Sequence, residues 1–390
     1  MRPIEPPATN ADDAASSSAL PLFAQAANLA PTLPGFTLGE PLGRGAFGVV
    51  LRAVHCASCA AVAVKVTNRA APEMDDPKVL HRVRSEARVL KRLVHPNVVQ
   101  CFGAVETKAV IAVLLSAELG QSLAELVSSS GAMAESQSAP VVLQIARALR
   151  HCHQRKIAHR DVKLENVMYD AQSGRAVVVD FGLALVVRTQ GSRLDVLCGS
   201  PDYYAPEMLD KGSKGYYGPA IDMWALGVLA YTLLCGFFPF GTGSAQTKIC
   251  RGAYDKAPLS RLGGGARSFL AATLVVDPNS VQKVNRLSSA DACKHAWLAP
   301  HAGAADAAVA VGAAADLPVE VLTACVRELQ EAQGAVGGEE LASSCIHGGE
   351  EVASGSAPPS TTGLGLAAAD EVDDDDELTA RLIGLSADID

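Results

Sequence analysis

His159-Arg160-Asp161-Val162-Lys163-Leu164-Glu165-Asn166 sets a carboxylate, a cation and a carboxamide at fixed offsets, and Asp180-Phe181-Gly182 follows fourteen residues after Asn166. Moving a phosphoryl group needs such a set. Asp161 would orient an acceptor hydroxyl and take its proton, and Lys163 would neutralise charge on the group in transit. Asn166 and Asp180 would give a metal ion two hard oxygen ligands. Such ligands, shared with substrate phosphates, suit magnesium, which rarely occupies an all-protein cage. The run 176–179 just before Asp180 predicts a short strand.

Upstream, Leu42-Gly43-Arg44-Gly45-Ala46-Phe47-Gly48-Val49-Val50 has three glycines at a spacing that lets a strand–turn–strand bring backbone N–H groups close to phosphate oxygens. Alone, the stretch reads equally well as a plain turn, and Lys65 alone as a surface lysine. The strand predicted at 61–66, however, carries Val62-Ala63-Val64-Lys65, which would put an ammonium group on the α- and β-phosphates. The helical spacing of Val83, Ala87, Leu90 and Leu93 puts Glu86 on the next helix as a partner for that charge. Further helices are predicted at 141–152 and 221–234, the second with Asp222 near its start. Strands early and helices late imply an α+β architecture: a smaller β-rich lobe, a larger helical lobe and a cleft between them.

These motifs, in this order and with Ala205-Pro206-Glu207 after them, resemble those of a eukaryotic protein kinase over residues 36–298. The resemblance implies the two-lobed protein-kinase fold, with an N-lobe at 36–118 and a C-lobe at 119–298, and ATP and Mg2+ as cofactors. It implies Asp161, Lys163, Lys65 and Glu86 as catalytic residues and Asn166 and Asp180 as metal ligands. For the nucleotide it implies the glycine loop from Leu42 to Val50 with Lys65, Glu165 and Met168. Val50, Ala63 and Met168 resemble the apolar residues that sandwich adenine. Arg286 resembles the late arginine that pairs with Glu207, and Asp222 the residue that braces the catalytic loop.

Lys163, two residues after Asp161, and Gly199-Ser200-Pro201 resemble the serine/threonine branch. The run 198–207 is most similar to the calcium/calmodulin-dependent and AMP-activated kinase group. The function implied is transfer of the γ-phosphoryl group of Mg-ATP to serine or threonine of protein substrates in intracellular signalling. Glu165 faces either the nucleotide or a basic residue upstream of the acceptor, which leans the expected substrates toward arginine or lysine there. The alternative is a pseudokinase that binds or scaffolds, and it would need a missing catalytic part.

Several positions depart from the pattern. Arg160 resembles an arginine that pairs with an activating phosphate, yet Val196 stands where AMP-activated relatives carry threonine. Either Asp195 would supply a permanent negative charge, or Ser192 or Thr189 would be phosphorylated instead, or no phosphorylation is needed. Ser116 and Ser122 stand where acidic residues are common, and 279–285 reads as a surface insertion.

The chain has 390 residues and a formal net charge of −9, which disfavours a general nucleic-acid or membrane-surface binder. No run reaches the ~18 uncharged apolar residues that a span requires. Residues 1–35 lack the apolar stretch of a secretory signal and read as disordered. Ten scattered cysteines read as reduced thiols in the cytoplasm or nucleus. Cys56 and Cys59 lack the second pair that a zinc site wants, so a strand connection is the expected setting. Residues 299–390 read as a low-complexity tail of a monomer. Within it, an amphipathic segment at 317–333, carrying Leu322, Cys325, Val326 and Leu329, reads as a regulatory or partner-binding element, or as a weak helix in a disordered tail. The acidic run 373–377 reads as solvated.

Overall fold

The computed structural model describes residue 33 and residues 35–45, 48–69, 71–107, 109–118, 120–187, 194, 196–210, 215–241, 246–276 and 286–313. An antiparallel sheet comes first. Its strands are β1 (Phe36–Gly45), β2 (Gly48–His55), β3 (Ala61–Asn68), β4 (Cys101–Glu106) and β5 (Val110–Ser116), in the order β1-β2-β3-β5-β4. Helix α1 (Pro77–Leu90) lies between β3 and β4 in the chain. Side chains alternate across a strand, so β3 serves two cores. Val62, Val64 and Val66 join Leu51 and Leu114 in a cluster belonging to the sheet lobe. Ala63, paired with Leu115, joins the core of the helical lobe instead. Lys65, two residues on, therefore lies on the face that meets the helical lobe.

The third glycine of the loop is a packing requirement in its own right. A Cβ on Gly48 would sit 2.0 Å from the Val66 carbonyl oxygen, whereas one on Gly43 would meet nothing within 4 Å. Close β2–β3 approach therefore fixes one glycine and leaves the first free of that constraint.

The helical lobe begins with β6 (Gln121–Ser122), α2 (Leu123–Ser130) and α3 (Glu135–Gln154). β7 (Ile157–Ala158), β8 (Val167–Asp170), β9 (Arg175–Val178) and β10 (Leu185–Val186) follow; β6, β8 and β9 form one small sheet and β7 pairs with β10. The remaining helices are α4 (Pro206–Leu209), α5 (Gly218–Cys235), α6 (Gln246–Arg251), α7 (Gly264–Thr273), α8 (Ser289–Ala292) and α9 (Ala302–Ala313). α3 starts upstream of the predicted 141 because Pro140 lies inside it rather than before it. The lost N–H is outweighed by burial of Ala139, Val141, Val142 and Ile145, each larger aliphatic contributing about 1.5–3 kcal/mol. α5 is long and apolar enough to span a bilayer by length and composition alone, but 83% of that stretch is buried within the lobe.

α9 departs from the expectation that patterning ends at 298. Ala305 and Ala308 are buried, and Asp306 pairs with Arg147 of α3 at 2.6 Å. An all-alanine face carries no bulky periodic signal, so sequence patterning passed over it. Residues 1–32, the segment 317–333 and the run 373–377 lie outside the described residues.

Candidate active site

The cleft brings the predicted residues together in two linked groups. In the first, Lys65 of β3 donates to both carboxylate oxygens of Glu86 on α1 at 2.8 Å and to Asp180 Oδ1 at 2.9 Å. Burial works against the ammonium charge, but Glu86 and Asp180 outweigh it and hold the Lys65 pKa above its ordinary value. Burial pushes Glu86 up against the pull of Lys65. At Asp180 burial also works upward, yet Lys65 wins and the carboxyl is held below its usual range. Lys65 thus serves two carboxylates from distant segments at once.

Asp180 has φ 55° and Arg160 φ 68°. Left-handed backbone at non-glycine residues is sparsely populated and tends to occur at functional sites. Phe181 is buried with its ring edge-on to His159, centroids 4.6 Å apart. Arg82, one helical turn before Glu86, donates from Nε to the Gly182 carbonyl at 2.9 Å, so α1 holds the Gly182 end of the turn while Lys65 of β3 holds the Asp180 end.

The second group centres on Asp161. Its Oδ2 is 2.9 Å from Lys163 Nζ and accepts from Asn166 Nδ2 at 3.0 Å. Its Oδ1 accepts from the Ser200 hydroxyl at 3.0 Å, and Ser200 Oγ in turn accepts from Lys163 at 2.9 Å. The turn carrying Ser200 rests on the Asp161 loop: Gly199 has φ +94°, and a Cβ there would come within 2.7 Å of the Arg160 carbonyl oxygen.

Histidine and backbone join the groups. His159 Nδ1 accepts the Asp161 N–H at 3.3 Å, so Nε2 carries the proton toward the Val179 carbonyl at 3.2 Å. The Val179 N–H reaches the Asn166 carbonyl at 2.9 Å. Beneath them Asp222 of α5, fully buried, accepts the backbone N–H groups of His159 and Arg160 at 2.9 and 2.8 Å and lies 2.8 Å from His153 Nε2. Arg286 and Glu207 pair through both guanidinium nitrogens at 2.6 and 3.0 Å. Both pairings expected from the resemblance are present in the geometry.

For the nucleotide residues, Ala63 is buried opposite Leu115, Val50 and Met168 are half-buried, and Leu42 and Glu165 are exposed. Ala46 and Phe47 lie outside the described residues. Ser122 caps α2 in a capping box with Glu125, so its hydroxyl is committed to the helix end. Ser116 donates to Glu118, whose carboxylate also lies 3.8 Å from Arg175.

Arg160 Nη2 donates to Cys198 Sγ at 2.6 Å, and the Tyr216 hydroxyl donates to the Val196 carbonyl at 2.5 Å. Asp195, Thr189 and Ser192 lie outside the described residues. Cys56 and Cys59 sit exposed in the β2–β3 connection, and among the described residues no group of three or more His, Cys, Asp or Glu is arranged for a metal ion.

Sequence reasoning left Ser200, His159 and Arg82 without roles in the site. Ser200 was legible only as a branch marker, and Arg82 offered a faint signal, its one-turn spacing from Glu86. The hub role of His159 depends on backbone partners that no sequence spacing encodes.

A family profile described as "Protein kinase domain" matches residues 36–298. The SNF1-related protein kinase catalytic subunit alpha KIN12 of Arabidopsis thaliana is 33% identical over 276 residues, covering 70% of this chain and 53% of that protein. "Probable serine/threonine-protein kinase MARK-A" of Dictyostelium discoideum is 32% identical over 271 residues, 68% of this chain and 24% of that protein. The chain thus matches about half the length of the first relative and about a quarter of the second. By these matches, and by the sheet lobe and helical lobe that carry the motifs, the chain belongs to the protein kinase family.

Proposed function

We propose that this chain is a catalytically active, magnesium- and ATP-dependent kinase that phosphorylates serine or threonine in protein substrates. The observation that carries the proposal is Lys65 holding Glu86 and Asp180 at once, with Asp161, Lys163 and Asn166 within hydrogen-bond reach of one another. Asn166 and Asp180 fit magnesium because they offer only two hard oxygens and leave the other positions to phosphate and water. Magnesium, when bound, neutralises charge that develops on the phosphates.

Asp161 orients the acceptor hydroxyl and takes its proton as the oxygen bonds to the γ-phosphorus, the β–γ bridging P–O bond breaks and ADP leaves. Lys163 steadies the phosphoryl oxygens, and Ser200 keeps Asp161 and Lys163 in register. Lys65, fixed by Glu86, grips the α- and β-phosphates, while Val50, Ala63 and Met168 enclose the base. Glu165, exposed beside the catalytic loop, favours substrates with arginine or lysine upstream of the acceptor.

A peptide library with Mg-ATP tests this. Label on serine and threonine peptides with basic upstream residues, absent without magnesium and absent in Asp161→Ala, supports it. ATP binding without transfer by the wild-type chain would instead indicate a binding module.

A further inference from the structure

Charge is divided unevenly along the chain. Residues 314–390 hold 17 acidic and 2 basic side chains, a net −15, whereas residues 33–313 hold 30 basic and 22 acidic, a net +8. The densest acidic stretch, 373–377, is followed by Leu378, Leu382, Ile383 and Leu385.

One face of the folded lobes is built to receive such a segment. α3 presents Arg147, Arg150 and His151 about one turn apart, and Arg155 just past its end reaches within 3.1 Å of His151 Nδ1. The His95 ring, on the connection after α1, packs against His151 with centroids 5.0 Å apart. Lys91 and Arg92 on that connection are exposed, and Val94 between them and His95 is 70% exposed. Burial, and then His151 and Arg147, Arg155 and Arg150, push the His95 pKa down to about 4. So many cations crowd this spot that a further positive charge is unwelcome. Among the described residues, the only ion pair within this cluster is Arg147 with Asp306. Asp306 lies on α9, the last described element before residues 314–390.

We infer that the acidic run 373–377 docks on this basic face of its own chain, with the leucines after it covering Val94. The 59 residues from 314 to 372 form the tether, and a coil of that many residues has a root-mean-square span of about 40 Å. Tethering raises the effective concentration toward the millimolar range, so several exposed pairs of ~0.2–1 kcal/mol each suffice. The face also lies on the pivot between the lobes. Asn97, two residues after His95, donates to Gln144 Oε1 and the Ala176 carbonyl, and Val99 bonds Val178. A docked tail therefore braces the two lobes against each other.

Zero-length carbodiimide coupling of the full-length chain, mapped by mass spectrometry, tests the inference. The expected links join carboxylates of 373–377 to Lys91. Their yield should fall several-fold when salt shortens the screening length from about 10 Å to a few ångström, and likewise in Arg150→Glu/Arg155→Glu, a variant whose melting curve is checked in parallel. It should not change on dilution. Absence of links from 373–377, links made equally to Lys248 and Lys256, or links that fade on dilution because a second copy is the true occupant, would each overturn it.

Discussion

Two buried ion pairs in this molecule use different cations, and the difference matches where they sit. Arg286, its side chain 1% exposed, makes five hydrogen bonds, two to Glu207 and three to the carbonyls of Ala220 and Val275, with its guanidinium over the Trp224 ring. A planar fork fully used in this way is a rigid brace of the C-lobe. Lys65, 15% exposed at the cleft, is a point charge shared by two carboxylates from distant segments, with no fork to lock it. One pair holds the lobe together; the other is the one the proposed function assigns to chemistry.

The largest expected effect follows from that contrast. Lys65→Met should lower phosphoryl transfer by about a thousandfold or more while the melting temperature moves little, since burial already favours a proton on Glu86 once its partner is gone. Steady-state kinetics beside calorimetry checks both halves. A variant that unfolds would merge the two pairs into one structural class. Glu207→Ala should behave in the opposite way: leaving Arg286 buried and unpaired destabilises the fold by about 3–5 kcal/mol, measured by denaturant unfolding. Gly48→Ala should destabilise by roughly 1–3 kcal/mol through its clash with the Val66 carbonyl, whereas Gly43→Ala leaves the unfolding curve where it was.

The smallest effect is a pH slope. The His95 pKa is depressed from 6.5 to about 4 in the folded protein, so between those values the unfolded chain binds more protons. Stability is therefore full above pH 6.5 and is lost as pH falls toward 4. Melting temperatures across that range should fall with pH in the wild type and more shallowly in His95→Gln.

Much of the active site was legible because its residues act through charge at short spacings. Asp161, Lys163 and Asn166 lie within six residues, and Lys65 and Asp180 are marked by the strands that carry them. The fold was legible where bulky apolar residues repeat, as in β3 and α5. What escaped has identifiable causes. Pro140 read as a boundary because local propensity weighs against an interior proline, and tertiary burial overrode it. α9 escaped because alanine carries little periodic signal. Ser200 and Arg82 act through partners 39 and 100 residues away, contacts that only the folded chain brings together.

A single-turnover experiment bears most directly on the proposed chemistry. Enzyme in excess over radiolabelled Mg-ATP, with a basic serine peptide, should pass the γ-phosphate to the peptide hydroxyl in wild type. In Asp161→Asn, whose carboxamide no longer accepts the proton, transfer should drop by orders of magnitude with ATP affinity kept. Equal transfer by both proteins, or none by the wild type despite bound ATP, would contradict the account.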